Sequence, residues 1–367
     1  MDTKKLAVQL WHAGVEAVDG YAATEAALPD IPKPDRILAV GKPAAAMARA
    51  ALARFGAIPT LVVTKDDHGR DLPDTVEVIE ASHPVPDNRS LAGGHALRKA
   101  LEQMEPGSHV LLLVSGGASS LAEDLLPGKS LSDLEALNRR LLSEGMDIGA
   151  MNAERRKLSR IKGGGLLSHF AGARATVLAI SDVPGDDLNV IGSGIGALPS
   201  SHTFEAITRI VASNAHARNV VVQAAEAAGL KVWANEEALH DDFLKVAAHL
   251  GQLLRGMEKG VMVFGGEPTV VLPDHPGRGG RNQALALALA REISGQSNLT
   301  VVVGGTDGTD GPTNAAGGII TGATWNESGI AALKKADSGS FLEKAQALLK
   351  TGPTGTNVMD LVVAIRG

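Results

Sequence analysis

Residues 301–318 read VVVGGTDGTDGPTNAAGG. Three valines run into paired glycines. Two Thr-Asp-Gly units follow, Thr306-Asp307-Gly308 and Thr309-Asp310-Gly311. An apolar strand that ends in glycines, hydroxyls and carboxylates fits the carboxyl end of a strand in an open α/β sheet, where such sheets bind ligands. Asp-Gly and Gly-Pro are also ordinary turn signals. A multiple turn would account for this stretch alone, but the pattern recurs along the chain.

Residues 36–40 (RILAV) lead into Gly41-Lys42-Pro43 and an alanine-rich helix. Such a junction aims backbone N–H groups and one ammonium at the same point, a place for an anion. It is not a P-loop, because the spaced glycines and the Lys-Ser/Thr pair are absent. Read alone, Lys42 is a surface lysine. The strand at 76–80 ends near His83, which precedes Pro84 on a rigid loop and has a structural role as its plainer reading. Residues 110–114 (VLLLV) end in Ser115-Gly116-Gly117-Ala118-Ser119-Ser120, a second anion-loop candidate. A basic helix over 152–162 places five cations in eight residues before a triple glycine. Such a run is usually a solvated face, although one or two of these cations could reach a phosphate. Residues 176–180 (TVLAI) are tipped by Asp182, Asp186 and Asp187. Three carboxylates so close repel one another without a cation, and magnesium-nucleotide is a natural partner; an acidic turn is the alternative. A long alanine-rich helix is expected over 203–228. Residues 261–264 end at Gly265-Gly266-Glu267. Arg281 and Asn282 open a helix behind glycines, placed to grip an oxyanion in a fork.

Strands and helices alternate, and the strands are apolar. This argues an α/β protein with mostly parallel sheets covered on both faces. At 367 residues the chain favours two domains. With aromatics at 3%, the core is built from Ala, Leu, Val and Ile. The formal charge of -6 and the lack of a basic patch argue against nucleic-acid binding. No cysteine is present, which excludes disulfides, thiolate metal sites and cysteine nucleophiles. The N-terminal residues read as an amphipathic helix over 4–26 without a signal-peptide core. No run has the length of a membrane span, and a cytoplasmic protein is expected.

The strand tips thus hold cations, backbone-donor loops, carboxylates and hydroxyls. They lack a Gly-x-Ser-x-Gly elbow and the Gly-x-Gly-x-x-Gly turn of a dehydrogenase. Phosphoryl transfer needs this inventory: donors for phosphate oxygens, acidic ligands for magnesium and little covalent machinery.

Nine segments together resemble the class II glycerate kinase family, whose C-terminal half is a MOFRL domain. They are 41–48 (GKPAAAMA), 81–88 (ASHPVPDN), 114–120 (VSGGASS), 152–164 (NAERRKLSRIKGG), 180–187 (ISDVPGDD), 264–271 (FGGEPTVV), 277–288 (GRGGRNQALALA), 305–318 (GTDGTDGPTNAAGG) and 351–361 (TGPTGTNVMDL). They follow the family's order over nearly the whole chain. The resemblance implies a Rossmann-like three-layer N-terminal domain over 1–204 and a MOFRL-type α/β domain over 205–367, with the active site in the cleft between them. It implies an ATP- and Mg2+-dependent kinase that phosphorylates the 2-hydroxyl of D-glycerate. Lys42, Arg281 and Asp182 are then the expected catalytic residues. Ser115, Gly116, Gly117, Ser119, Asn282, Glu267, Thr306 and Asp307 would bind substrate or phosphate, and Asp187 and Asp310 metal. A homodimer is an open option.

The chain departs from the family pattern at several points. Residues 192–197 (GSGIGA) lack the proline expected after Ser-Gly. Ala118 stands where a third glycine is expected, and Ser120 where alanine is. The chain is also shorter near 235–258. These changes leave the acceptor open. A kinase for a related sugar acid, an NAD(P)H-dependent hydroxypyruvate reductase and a non-catalytic sugar-acid-binding module are the alternatives.

Overall fold

The computed structural model describes residues 2–143 and 148–367. The chain forms two compact units, residues 20–213 and residues 1–19 with 214–367. Thr3–Glu16 is α1, capped by the Asp2 carboxylate, which accepts from the Lys5 amide at 3.1 Å. The turn after it separates α1 from α2 (Gly20–Ala27), so the expected single helix over 4–26 is two.

The unit 20–213 holds β1 (Arg36–Val40), α3 (Ala44–Phe55), β2 (Thr60–Lys65), β3 (Glu77–Ala81), α4 (Asn88–Glu102), β4 (His109–Val114), α5 (Ala118–Leu121), α6 (Leu131–Ser143), α7 (Ile148–Arg156), β5 (Arg174–Ile180) and β6 (Glu205–Ala212). Its six strands pair in the order β3-β2-β1-β4-β5-β6, all parallel. Every residue of β4 is buried, as a central strand covered on both faces requires. Helices α2 and α3 cover one face. On the other, Leu97 and Leu101 of α4 pack with Leu38, Val40 and Leu112.

Two expected helices give way here. The first half of 203–228 is β6, because EAITRIVA carries β-branched residues that suit a pleated surface. The helix α8 (Asn214–Ala227) begins only after it. The basic run at 152–162 stays helical only to Arg156. Beyond it the Ser159 hydroxyl accepts the Ile161 and Lys162 amides at 3.2 and 3.1 Å, a local turn that competes with the helix.

The other unit continues with β7 (Val232–Glu237), α9 (Phe243–Gly256), β8 (Gly260–Gly266), α10 (Arg281–Glu292), β9 (Leu299–Gly305), β10 (Gly317–Thr321), α11 (Ser328–Lys334), α12 (Ser338–Lys344), β11 (Leu348–Leu349) and β12 (Asp360–Arg366). The sheet order is β11-β10-β9-β12-β8-β7. Strands β7 and β8 are parallel neighbours; β12 lies antiparallel between β8 and β9, and β10 runs antiparallel to β9 and β11. Helices α9, α10 and α12 pack on one face against Phe264, Val303 and Val362. Helices α1 and α8 pack on the other against Val263, Val302 and Leu361. Trp11 is fully buried there, and its indole N–H donates to the Leu361 carbonyl at 3.2 Å. That anchor places residues 1–19 with the C-terminal unit. The division also moves from the expected 204/205 to 213/214, since β6 completes the first sheet.

Candidate functional site

In the parallel sheet the strand order reverses between β1 and β4, the crevice where sheets of this topology bind ligands. The loops that meet there are those singled out in sequence. The Lys42 amide donates to the Gly116 carbonyl at 2.9 Å, tying the two tips together. The Thr64 hydroxyl holds the first tip from the neighbouring strand, donating to the Gly41 carbonyl at 2.9 Å. Ser115 is fully buried and its hydroxyl donates to the Val40 carbonyl at 3.3 Å, so its side chain joins the strands rather than facing a ligand.

The glycines after it serve close approach. A Cβ on Gly116 would collide with the Asp182 carboxylate. Gly117 has φ +85°. A Cβ there would sit 3.1 Å from Lys42 Cγ and 3.3 Å from His83 Nε2. Lys42 and His83 thus lie beside Gly117, and Asp182 beside Gly116, along one loop. Asp187 is exposed. Its Oδ1 accepts from the Asn189 amide and side chain at 2.8 and 2.9 Å.

Ser119 extends this centre. Its hydroxyl lies 2.6 Å from that of Ser193, which donates to Asn152 Oδ1 at 3.0 Å. Residues 191–197 are buried throughout, with Ser193 at φ +59°. Beside Ser119 opens a cavity of about 250 Å³ lined by His83, Ser119, Ser120, Asn138, Arg155 and Lys162. Its floor is an ion pair: Lys162 Nζ lies 2.6 Å from Glu123 Oε2, with both side chains almost wholly buried.

The remaining expected residues sit in the C-terminal unit, and most are engaged with one another. Asp310 is buried. Its two oxygens accept the Asn282 and Gln283 amides at 3.0 and 2.8 Å. A distant carboxylate thus supplies the cap of α10, whose own N-cap residue is Gly280. Burial pushes its pKa up to about 6, against those two amides, with the Asp360 charge adding to the rise. The oxyanion that Arg281 and Asn282 grip is also internal. Arg281 Nε and a terminal nitrogen reach the two Asp360 oxygens at 2.7 and 3.1 Å, and Asn282 Nδ2 reaches Oδ1 at 2.8 Å. The remaining arm of Arg281 meets Glu267 at 2.6 Å. Burial opposes the guanidinium charge, yet attraction and hydrogen bonding from Asp360 hold it more firmly protonated than usual. Thr306 is buried; its hydroxyl donates to the Met359 carbonyl at 2.7 Å and accepts the Val358 amide at 2.8 Å. Asp307 Oδ1 accepts from the amide and hydroxyl of Thr309, both at 3.0 Å.

Among the described residues no group of three or more His, Asp or Glu side chains is arranged to hold a metal ion. Magnesium that arrives with phosphate oxygens needs only one or two carboxylates from a chain. Asp310 is buried with both oxygens on amides, whereas Asp187 is exposed. No helix among the described residues is long and apolar enough to cross a membrane.

Sequence reasoning missed Asp360, which was visible as the lone acid heading an apolar closing strand. It also passed over Arg155, hidden in a basic run that reads as a solvated face.

Two family models match the chain: a domain of unknown function, DUF4147, over residues 6–227 and the MOFRL family over residues 260–360. A Thermotoga maritima protein named D-glycerate 2-kinase is 35% identical, covering 99% of this chain and 98% of its own. A Pyrococcus horikoshii glycerate 2-kinase is 33% identical over 100% and 98%. An Agrobacterium vitis protein that carries a provisional hydroxypyruvate reductase name is 33% identical over 90% and 99%. Among solved structures, a Thermotoga maritima glycerate kinase superposes with a TM-score of 0.91 at 32% identity, covering 99% of each chain.

Proposed function

The chain belongs to the class II glycerate kinase family, and we propose on that footing that it is an ATP-dependent kinase. It transfers a phosphoryl group to the 2-hydroxyl of D-glycerate, giving 2-phosphoglycerate and ADP. The observation that carries the reaction type is the Gly116–Gly117 loop at the reversal of strand order, with Lys42 beside Gly117 and Asp182 beside Gly116. Phosphoryl transfer is mostly positioning and charge stabilisation, which such a group can supply. The acceptor is supported by the names of the full-length relatives.

In this mechanism the Lys42 ammonium lies against the transferring phosphoryl oxygens and offsets charge that grows in the transition state. Backbone N–H groups after β4 hold an anionic oxygen. Asp182 orients the attacking 2-hydroxyl and takes its proton. Asp187 is the carboxylate that would hold magnesium, which supplies Lewis-acid neutralisation on the nucleotide phosphates. Arg281 acts indirectly, fixing Glu267 and Asp360 in the C-terminal unit.

The Agrobacterium vitis names favour a second reading, reduction of hydroxypyruvate. The first strand of the parallel sheet ends in Gly41-Lys42-Pro43, without the glycine spacing that cradles a dinucleotide. The deciding assay offers D-glycerate, L-glycerate, hydroxypyruvate and four-carbon acids with magnesium-ATP, measuring ADP and identifying the product. Parallel wells follow reduced nicotinamide absorbance. ADP formation with D-glycerate giving the 2-phosphate supports the kinase. Nicotinamide oxidation without ADP overturns it.

A further inference from the structure

The cavity beside Ser119 has a donor and acceptor pattern that the reaction as described does not use. Arg155 is half-buried and lines it. Its Nε donates to Asn138 Oδ1 at 3.0 Å, and no carboxylate among the described residues pairs with it. The Lys162 charge is already balanced by Glu123. Glu123 also accepts the Ser159 hydroxyl at 2.5 Å and the Asp124 amide at 3.0 Å. The cavity wall therefore carries a guanidinium that feels the Glu123 charge but has no carboxylate in hydrogen-bond contact among the described residues, a planar fork shaped for a carboxylate.

The two serines point to the rest of the ligand. Ser193 donates its proton to Asn152, so in that chain Ser119 donates to Ser193. The Ser120 hydroxyl donates to the Gly117 carbonyl at 3.2 Å. Both protons are committed, and each oxygen keeps a lone pair to accept from a ligand. A wall with one guanidinium and two hydroxyl acceptors matches an acid that carries one carboxylate and hydroxyl donors.

We propose that this cavity is the subsite that binds the acceptor as a small polyhydroxy monocarboxylate, an assignment that rests on the kinase reading above. Arg155 takes the carboxylate, and Ser119 and Ser120 accept from the hydroxyls. Gly117 lines this cavity and lies beside the Lys42 stem, so the cavity is next to the residues assigned to phosphoryl transfer. Ser120 is one of the positions where this chain departs from its family's pattern, and it sits on the acceptor wall.

The test measures D-glycerate binding to the full chain by calorimetry, without nucleotide and with a non-hydrolysable ATP analogue. Glycerol, which lacks the carboxylate, and propionate, which lacks the hydroxyls, serve as controls. D-glycerate should bind, and both controls should bind far more weakly. Arg155→Gln should weaken D-glycerate by about 10- to 100-fold, the scale of a lost charged hydrogen-bond pair, with affinity for the ATP analogue unchanged. Ser120→Ala should weaken it by about 3- to 10-fold and decides the matter if Arg155→Gln fails to fold. Wild-type affinity in both variants, with ADP still formed, overturns the subsite and leaves the kinase standing. Binding that is lost in the variants, without any ADP formed by the wild type, keeps the subsite and removes the kinase. If the wild type neither binds D-glycerate nor forms ADP, both fail.

Discussion

Replacing Arg281 by alanine tests the structure more sharply than any change at the parallel-sheet tips. Asp360 has no exposed surface, and Arg281 contributes two of its contacts, at 2.7 and 3.1 Å. Asn282 supplies a third at 2.8 Å. Removing the guanidinium leaves a buried carboxylate with one neutral donor. Breaking a buried pair from one side costs about 3–5 kcal/mol. That is a large share of the roughly 5–15 kcal/mol that holds a domain folded. Arg281→Ala should therefore shift the urea midpoint of the C-terminal unit strongly downward. The double variant Arg281→Ala with Asp360→Asn should recover about half of the loss, because no buried charge is stranded. Urea unfolding of the single and double variants, followed by Trp fluorescence and circular dichroism, gives the coupling. A wild-type midpoint in Arg281→Ala, with turnover lowered 100-fold, would refute this reasoning and return Arg281 to direct transition-state contact.

Lys42→Ala should do the opposite: turnover falls by about 10²- to 10³-fold, the scale of one lost electrostatic contact, while the thermal midpoint stays put. An unchanged turnover removes Lys42 from the mechanism. Asp310 makes stability fall with rising pH. Its folded pKa of about 6 exceeds the unfolded value of 3.8, so its contribution is fully present below 3.8 and is lost as pH rises through 6. The two-unit gap corresponds to about 3 kcal/mol. Urea titrations at pH 4.5 and 7.5 should show this slope in the wild type and not in Asp310→Asn; parallel curves would count against it. Trp11→Ala should destabilise the C-terminal unit by about 3–5 kcal/mol, since the side chain is fully buried. Protease nicking of residues 214–367, compared between the two proteins, reads that loss.

Much of the architecture was legible because aliphatic runs are unambiguous. Residues 110–114 could be little but a buried strand, and Gly41-Lys42 and Ser115-Gly116-Gly117 were visible as polar strand tips, which the fold ties together. The site in the C-terminal unit was harder to read. Arg281, Asn282 and Asp310 do make charged contacts, but with each other and with Asp360, and a pair 79 positions apart leaves no local signal. Ser119 and Ser120 could be named, whereas which way their protons point depends on Ser193 and Gly117, which only the folded chain supplies. Residues 205–212 were lost to helix because their alanines and charges mask an alternation that needs a neighbouring strand to become decisive.

The bond from Trp11 to Leu361 closes a span of 350 positions. A ribosome makes α1 well before β9 and β12, the surface that receives it. Residues 20–213 hold a whole six-stranded sheet that can be completed in the interval. During that time α1 trails as an unpartnered amphipathic segment with an indole on its apolar side. Chains stalled before residue 358 should leave Trp11 accessible to a quencher, and release of the finished chain should bury it.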